Sequence, residues 1–238
     1  MNMHNGVAAQ QSQARAEVTN AFLRSVYNWM AIGLGVTAVV AWLTMENIGV
    51  IYNAVGKSLP TLFIVAMVVE LGMVFFLSAR INKLAASTAT GLFIAYSALS
   101  GFTLSGLLLV YTGSSVLQAF LTTAGMFAAV SLYGLTTKRD LAGVGSFCMM
   151  GLFGLIIASV VNLFMHSSML EFGISCIGVL VFVGLTAYDT QYLKEMGQSM
   201  PEGDATVVRR GVIMGALKLY LDFINLFIML LRLIGDRR

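Results

Sequence analysis

Residues 84–137 read LAASTATGLFIAYSALSGFTLSGLLLVYTGSSVLQAFLTTAGMFAAVSLYGLTT and contain no Asp, Glu, Lys or Arg. This stretch is too long for one membrane-crossing helix, which needs about 20 apolar residues. The cluster YTGSS at residues 111–115 has the composition of a loop and divides the stretch in two. The stretch therefore predicts two consecutive transmembrane helices.

The composition of the whole chain agrees with this interpretation. Of its 238 residues, 58% are hydrophobic and 11% are charged, whereas soluble domains carry about 25% charged residues. We predict an all-α integral membrane protein with seven transmembrane helices in residues 26–238, preceded by a polar cytoplasmic N-terminal tail, residues 1–25. The seven predicted spans are residues 26–45, 59–79, 84–111, 115–137, 141–165, 169–192 and 208–235.

The basic residues between the spans predict the topology. One set of connections carries Arg15, Arg24, Arg80, Lys83, Lys138, Arg139, Lys194, Arg209 and Arg210, and the opposite set carries Lys57 alone. By the positive-inside rule the N-terminus is cytoplasmic, and seven spans then place the C-terminus outside. Arg232, Arg237 and Arg238 would suit the cytoplasm instead, so a re-entrant last helix is the alternative. The net charge of +3 reflects these topology signals and does not indicate binding to nucleic acid.

Four ionisable residues fall inside the predicted spans: Glu70, Asp189, Lys218 and Asp222. Each would cost at least about 2.5–3.5 kcal/mol at a lipid-facing helix centre, so each is a candidate functional residue. Lys218 and Asp222 are four residues apart and could form a private ion pair on one helix face. If Lys218 instead extends to the interface, Asp222 needs another partner. Glu70 could simply face a hydrated interior.

Asp189 and Asp222 lie on consecutive spans, each after a Tyr or Tyr-Leu. Two carboxylates brought together in a low-dielectric interior share a proton, and such a pair can sense pH, bind a cation or perform acid–base chemistry. The spacing alone does not bring them together. Asp189 lies about 7.5 Å along its helix from Lys194, and Asp222 lies about 18 Å from Arg210. A contact requires one of the two helices to extend beyond the membrane face.

Three segments resemble the bacterial inner-membrane branch of the Bax inhibitor-1 family, and the resemblance extends over residues 20–238. They are residues 183–191 (VGLTAYDTQ), residues 219–232 (LYLDFINLFIMLLR) and residues 131–141 (SLYGLTTKRDL). The resemblance implies a last helix placed centrally among the other six. It also implies that Asp189 and Asp222 share a proton and gate a pH-sensitive calcium leak. In some relatives an arginine near the end of the second span joins the pair, and Arg80 is the nearest candidate.

The function expected from this resemblance is a calcium-permeable leak channel, with calcium as permeant ion and no cofactor. The alternative is a non-transporting regulator that binds another membrane protein, such as a membrane-anchored protease, through residues 1–25. An enzyme is not expected. An intramembrane aspartyl protease would need a Gly-x-Gly before Asp222 and a proline motif after it, but the only prolines are Pro60 and Pro201. A retinal-type protein, suggested by Lys218, would need an acidic residue on the third span. We expect a monomer or weak oligomer surrounded by lipid.

Overall fold

The computed structural model describes residues 2–201 and 204–238, which are almost entirely helical. Seven of the helices are long and apolar enough to cross a membrane, all except the short α2. The predicted all-α fold is thereby confirmed for the described residues. The helices are α1 (Asn2–Glu46), α2 (Ile48–Val55), α3 (Leu59–Arg80), α4 (Ala86–Val110), α5 (Gly113–Thr136), α6 (Ala142–Met165), α7 (Ser168–Gln198) and α8 (Ala205–Ile234).

The long uncharged stretch divides where the sequence predicts. Helix α4 ends at Val110 and α5 begins at Gly113, after an extended backbone at Tyr111 and Thr112. The Thr112 side chain accepts a hydrogen bond from the backbone N–H of Ser115. This side-chain cap satisfies one of the free N–H groups at the start of α5 and fixes the helix boundary there.

The bundle has two ends, which we name after the chain termini. The N-terminal end carries the first turns of α1 and the α3–α4, α5–α6 and α7–α8 connections; the C-terminal end carries α2, the α4–α5 and α6–α7 connections and the C-terminus. Helix α8 runs without a break from one end to the other. This continuity agrees with a last helix that crosses the membrane and argues against a re-entrant one.

The residues predicted to form a polar tail are helical. Helix α1 continues through residue 25, and Thr19, Phe22 and Leu23 are buried. Phe22 packs against Gly197 and Gly211, on either side of the α7–α8 connection. The reason is that Phe22, Val26 and Met30 are buried at intervals of four residues, so the buried face of α1 continues past Arg24 towards the N-terminus. The boundary at residue 25 therefore does not coincide with the end of a helix. Residue 1 of the predicted tail lies outside the described residues.

The last helix is the most buried of the seven spans. In its most apolar window 61% of the residues are buried, against 11% in α3 and α6. It packs extensively against α1, α4, α5 and α7. The full ring of six helices around α8 stays a prediction. Strong burial of α8 nevertheless gives Asp222, which is 5% exposed, an environment of protein rather than lipid.

A close contact between α5 and α7 depends on Gly134. A Cβ atom built on Gly134 would lie 2.5 Å from the carbonyl oxygen of Ala187 and 3.0 Å from Cβ of Thr190. Both neighbours belong to the helix that carries Asp189. Small residues of this kind allow helix backbones to approach closely in membrane proteins.

We expect Gly134→Ala to lower the stability of the folded protein by about 1–3 kcal/mol, because the added methyl group forces α5 and α7 apart. The measurement is the thermal unfolding midpoint of the purified protein in detergent. Gly125→Ala is the matched control on the same helix, since a Cβ there meets nothing within 4 Å. An equal midpoint for the two variants would show that the close contact is unimportant.

Candidate functional site

The α7–α8 interface brings Asp189 and Asp222 to one place. Along this antiparallel pair, Leu193 packs against Gly215, and Gly178 packs against Met229. This register places residue 218 level with Asp189, and Asp222 about one helical turn, or roughly 6 Å, further towards the C-terminal end. The line that joins the two aspartates is therefore inclined to the helix axes.

The limits of the predicted spans explain why the sequence alone did not predict that Asp189 and Asp222 lie close together. Residues 169–192 and 208–235 were the predicted spans, whereas α7 continues to Gln198 and α8 already begins at Ala205. Both helices thus extend further at the N-terminal end than the charge-poor runs indicate. The sequence required the α7 helix to run past the membrane face, or α8 to begin well above it; both helices are longer than the predicted spans at this end.

The two carboxyl groups are buried and adjacent. Asp189 and Asp222 are 7% and 5% exposed, and the register between α7 and α8 places their side chains about one helical turn apart across the interface. A hydrogen bond between two carboxyl groups requires a proton on one of them, because ionised carboxylates only accept. Oδ2 of Asp222 is buried, and no donor among the described residues reaches it. The arrangement is suited to holding a shared proton.

The cation beside this pair is Lys218. Its Nζ donates a hydrogen bond to Oδ1 of Asp189 at 2.7 Å. The same Nζ lies 6.0 Å and 5.1 Å from the ring centroids of Tyr188 and Tyr192. The private ion pair between Lys218 and Asp222 is therefore wrong as the main contact of this lysine. The long side chain reaches across to α7, where a carboxylate and two aromatic faces attract it together.

The residues that follow Asp189 fasten α7 to the α5–α6 connection. The Gln191 side chain accepts from the backbone N–H of Leu141 at 2.8 Å and donates to the carbonyl of Arg139 at 2.9 Å. Lys194 Nζ donates to the carbonyl of Leu135 at 2.7 Å. Sequence reasoning singled out both segments but not their contact. These bonds fix the part of α7 that lies between Asp189 and the N-terminal end of the bundle.

Two further candidates lie elsewhere. The Thr103 hydroxyl lies 3.2 Å from both carboxylate oxygens of Glu70 and can donate its one proton to either of them. Glu70 also borders a cavity of about 280 Å³ together with Asn225 and Arg232.

Arg80 is the exposed last residue of α3, and the described part of the chain offers its side chain no ion-pair partner. The structure thus does not bring Arg80 to the aspartate pair, and the cation that contacts Asp189 is Lys218.

A family comparison adds to this geometry. The family described as "Inhibitor of apoptosis-promoting Bax1" matches residues 19–238. The chain belongs to the Bax inhibitor-1 family. It is 49% identical over 220 residues to "Inner membrane protein YbhL" of Escherichia coli strain K12, which covers 91% of this chain and 92% of YbhL. Two uncharacterised relatives cover nearly the whole chain: one from Borreliella burgdorferi at 44% identity (96% of this chain, 97% of its own length) and one from Deinococcus radiodurans at 43% (97% and 96%).

These relatives confirm the resemblance seen in the sequence. Together with the seven long apolar helices, they support a multi-pass protein of the bacterial inner membrane.

Among the described residues, no group of three or more His, Cys, Asp or Glu side chains converges on one point. A divalent cation at the aspartate pair would therefore complete its shell of six to eight oxygens with water or backbone carbonyls.

Proposed function

We propose that this protein is a pH-sensitive, calcium-permeable leak channel of the bacterial inner membrane, gated by Asp189 and Asp222. The observation that carries the proposal is the juxtaposition of the buried Asp189 and Asp222 at the α7–α8 interface, beside the ammonium group of Lys218. Membership of the Bax inhibitor-1 family supports it. Calcium suits the site because hard carboxylate oxygens are its preferred ligands.

The charge balance of the site gives the direction of gating. With a proton shared by Asp189 and Asp222, the single negative charge of the pair is neutralised by Lys218. Loss of that proton leaves two carboxylates for one ammonium group. The resulting net negative charge is costly in a low-dielectric interior. Separation of α7 from α8, with entry of water and a cation, relieves this cost and opens the path.

The proposed orientation places this gate near the cytoplasm. The aspartate pair lies in the half of α7 that leads to the α7–α8 connection, and the positive-inside rule assigns that end of the bundle to the cytoplasm. Basic side chains are fixed there: Arg209 stacks 5.0 Å from the ring centroid of Trp29, and Arg210 donates to the carbonyl of Leu84 at 2.7 Å. A rise in cytoplasmic pH would then increase the leak.

The test is calcium flux into liposomes that contain the purified protein, with a fluorescent calcium indicator inside and the external pH varied. We expect flux to rise with pH, because the shared proton is lost as pH increases. Liposomes without protein provide the baseline. Folded protein that passes no calcium at any pH would overturn the proposal. The remaining hypothesis would then be a non-transporting regulator that binds another membrane protein.

A further inference from the structure

We propose that Lys218 is a tethered competitor of the permeant cation, whose ammonium group occupies the position in which a divalent cation would bind the aspartate pair. This inference rests on the proposed function and names the residue that regulates cation access to the same site. A cation from solution must displace the ammonium group from Asp189 before it can bind both carboxylates.

The first step of the argument is the position of the ammonium group. Nζ of Lys218 is 2.7 Å from Oδ1 of Asp189 on α7. Asp222 lies one turn further along α8, on the same helix face and within electrostatic reach of Lys218. The lysine is thus placed to interact with both acidic residues, as a bound cation would.

The second step is the mismatch between charges. One ammonium group faces two carboxyl groups, and Oδ2 of Asp222 meets no donor among the described residues. A purely structural salt bridge would need one carboxylate only. A divalent cation could satisfy both carboxylates, whereas Lys218 satisfies one and leaves the other dependent on a proton.

The third step is a route by which Lys218 can leave. Its side chain is 34% exposed, against 9% for the side chain of Asp189. The ring of Tyr192, 5.1 Å from Nζ, lies one helical turn from Tyr188, towards the N-terminal end. An ammonium group displaced from Asp189 can therefore remain over an aromatic face while its flexible stem extends towards water.

The two tyrosines also supply a local probe. Terbium binds at oxygen-rich calcium sites, and its luminescence is excited through nearby tyrosine rings. A terbium ion in the position of Nζ would lie beside Tyr188 and Tyr192. Tyrosine-sensitised emission therefore reports binding at this position in purified, detergent-solubilised protein, with no need for transport.

We expect Lys218→Gln to lower the half-saturating terbium concentration by about tenfold or more relative to wild type, because a buried carboxylate loses its competing cation. Excess calcium should abolish the emission, and so should Asp189→Asn in the Lys218→Gln background. Lys218→Arg keeps the positive charge and should behave like wild type. Lys138→Gln is the matched control, because Lys138 is exposed in the α5–α6 connection, outside the aspartate site. It removes one positive charge at the same end of the bundle.

Size-exclusion profile and helical circular dichroism show whether each variant is folded. If Lys218→Gln is not folded, Lys218→Met, which keeps the apolar stem, takes its place. Equal terbium binding by wild type and the folded neutral variant would overturn the proposal, as would an equal gain in Lys138→Gln. Failure of the channel function is a separate result: Lys218→Gln would bind terbium, yet wild-type liposomes would pass no calcium.

Discussion

Calcium flux through Asp222→Asn is expected to stay at the low-pH level of the wild type throughout the pH range. The asparagine is uncharged at every pH, so the net negative charge that opens the wild-type site never develops. Its amide can donate to Asp189 in place of the shared proton, and Lys218 still neutralises Asp189. The closed contact between α7 and α8 is therefore retained.

The measurement is the liposome flux assay from acidic to alkaline pH. At the alkaline end we expect flux at least about tenfold below wild type, since each pH unit changes proton occupancy by up to tenfold. The matched control is Asp140→Asn. Asp140 is exposed in the α5–α6 connection, and its carboxylate caps the N–H of Ala142. A wild-type pH profile in Asp222→Asn would remove this residue from the gate.

The number and order of the spans follow from the sequence because lipid imposes a simple rule. Residues 84–137 carry no charge and must be divided at a polar loop, and α4 and α5 end and begin there. The first and last residues of the helices are predicted less well from the sequence, because the requirement for uncharged residues applies only within the membrane. Phe22 and Gly197 lie beyond the charge-poor runs, yet they pack against each other and both lie within helices.

Contacts within the site were harder to predict than its residues. The cost of charge in a membrane identified Asp189, Lys218 and Asp222 from the sequence alone. The partner of Lys218 could not be predicted, because helical spacing shows only the neighbours on α8. The register between α7 and α8 decides the partner, and this register depends on close contacts such as that of Gly215 with Leu193. Those contacts become visible only in three dimensions.

Asp189→Asn is expected to remove the pH dependence as well, but to leave a higher leak at acidic pH than wild type has. The substitution removes the acceptor that binds Lys218 across the interface. Lys218 is then free to pair with Asp222 one turn away on α8. An ionised Asp222 paired with Lys218 no longer needs the shared proton, and α7 loses the ion pair that holds it to α8.

The same change should lower the stability of the folded protein by about 2 kcal/mol, less than the roughly 3–5 kcal/mol of a fully buried pair because Lys218 is partly exposed. Flux at acidic pH and the thermal unfolding midpoint are measured on one preparation. Asp222→Asn is the comparison, since it keeps the bond between Lys218 and Asp189. The two variants share the loss of pH dependence and differ in the level of the leak. Equal leaks at acidic pH would mean that the ion pair does not hold the closed state, and that the shared proton alone does so.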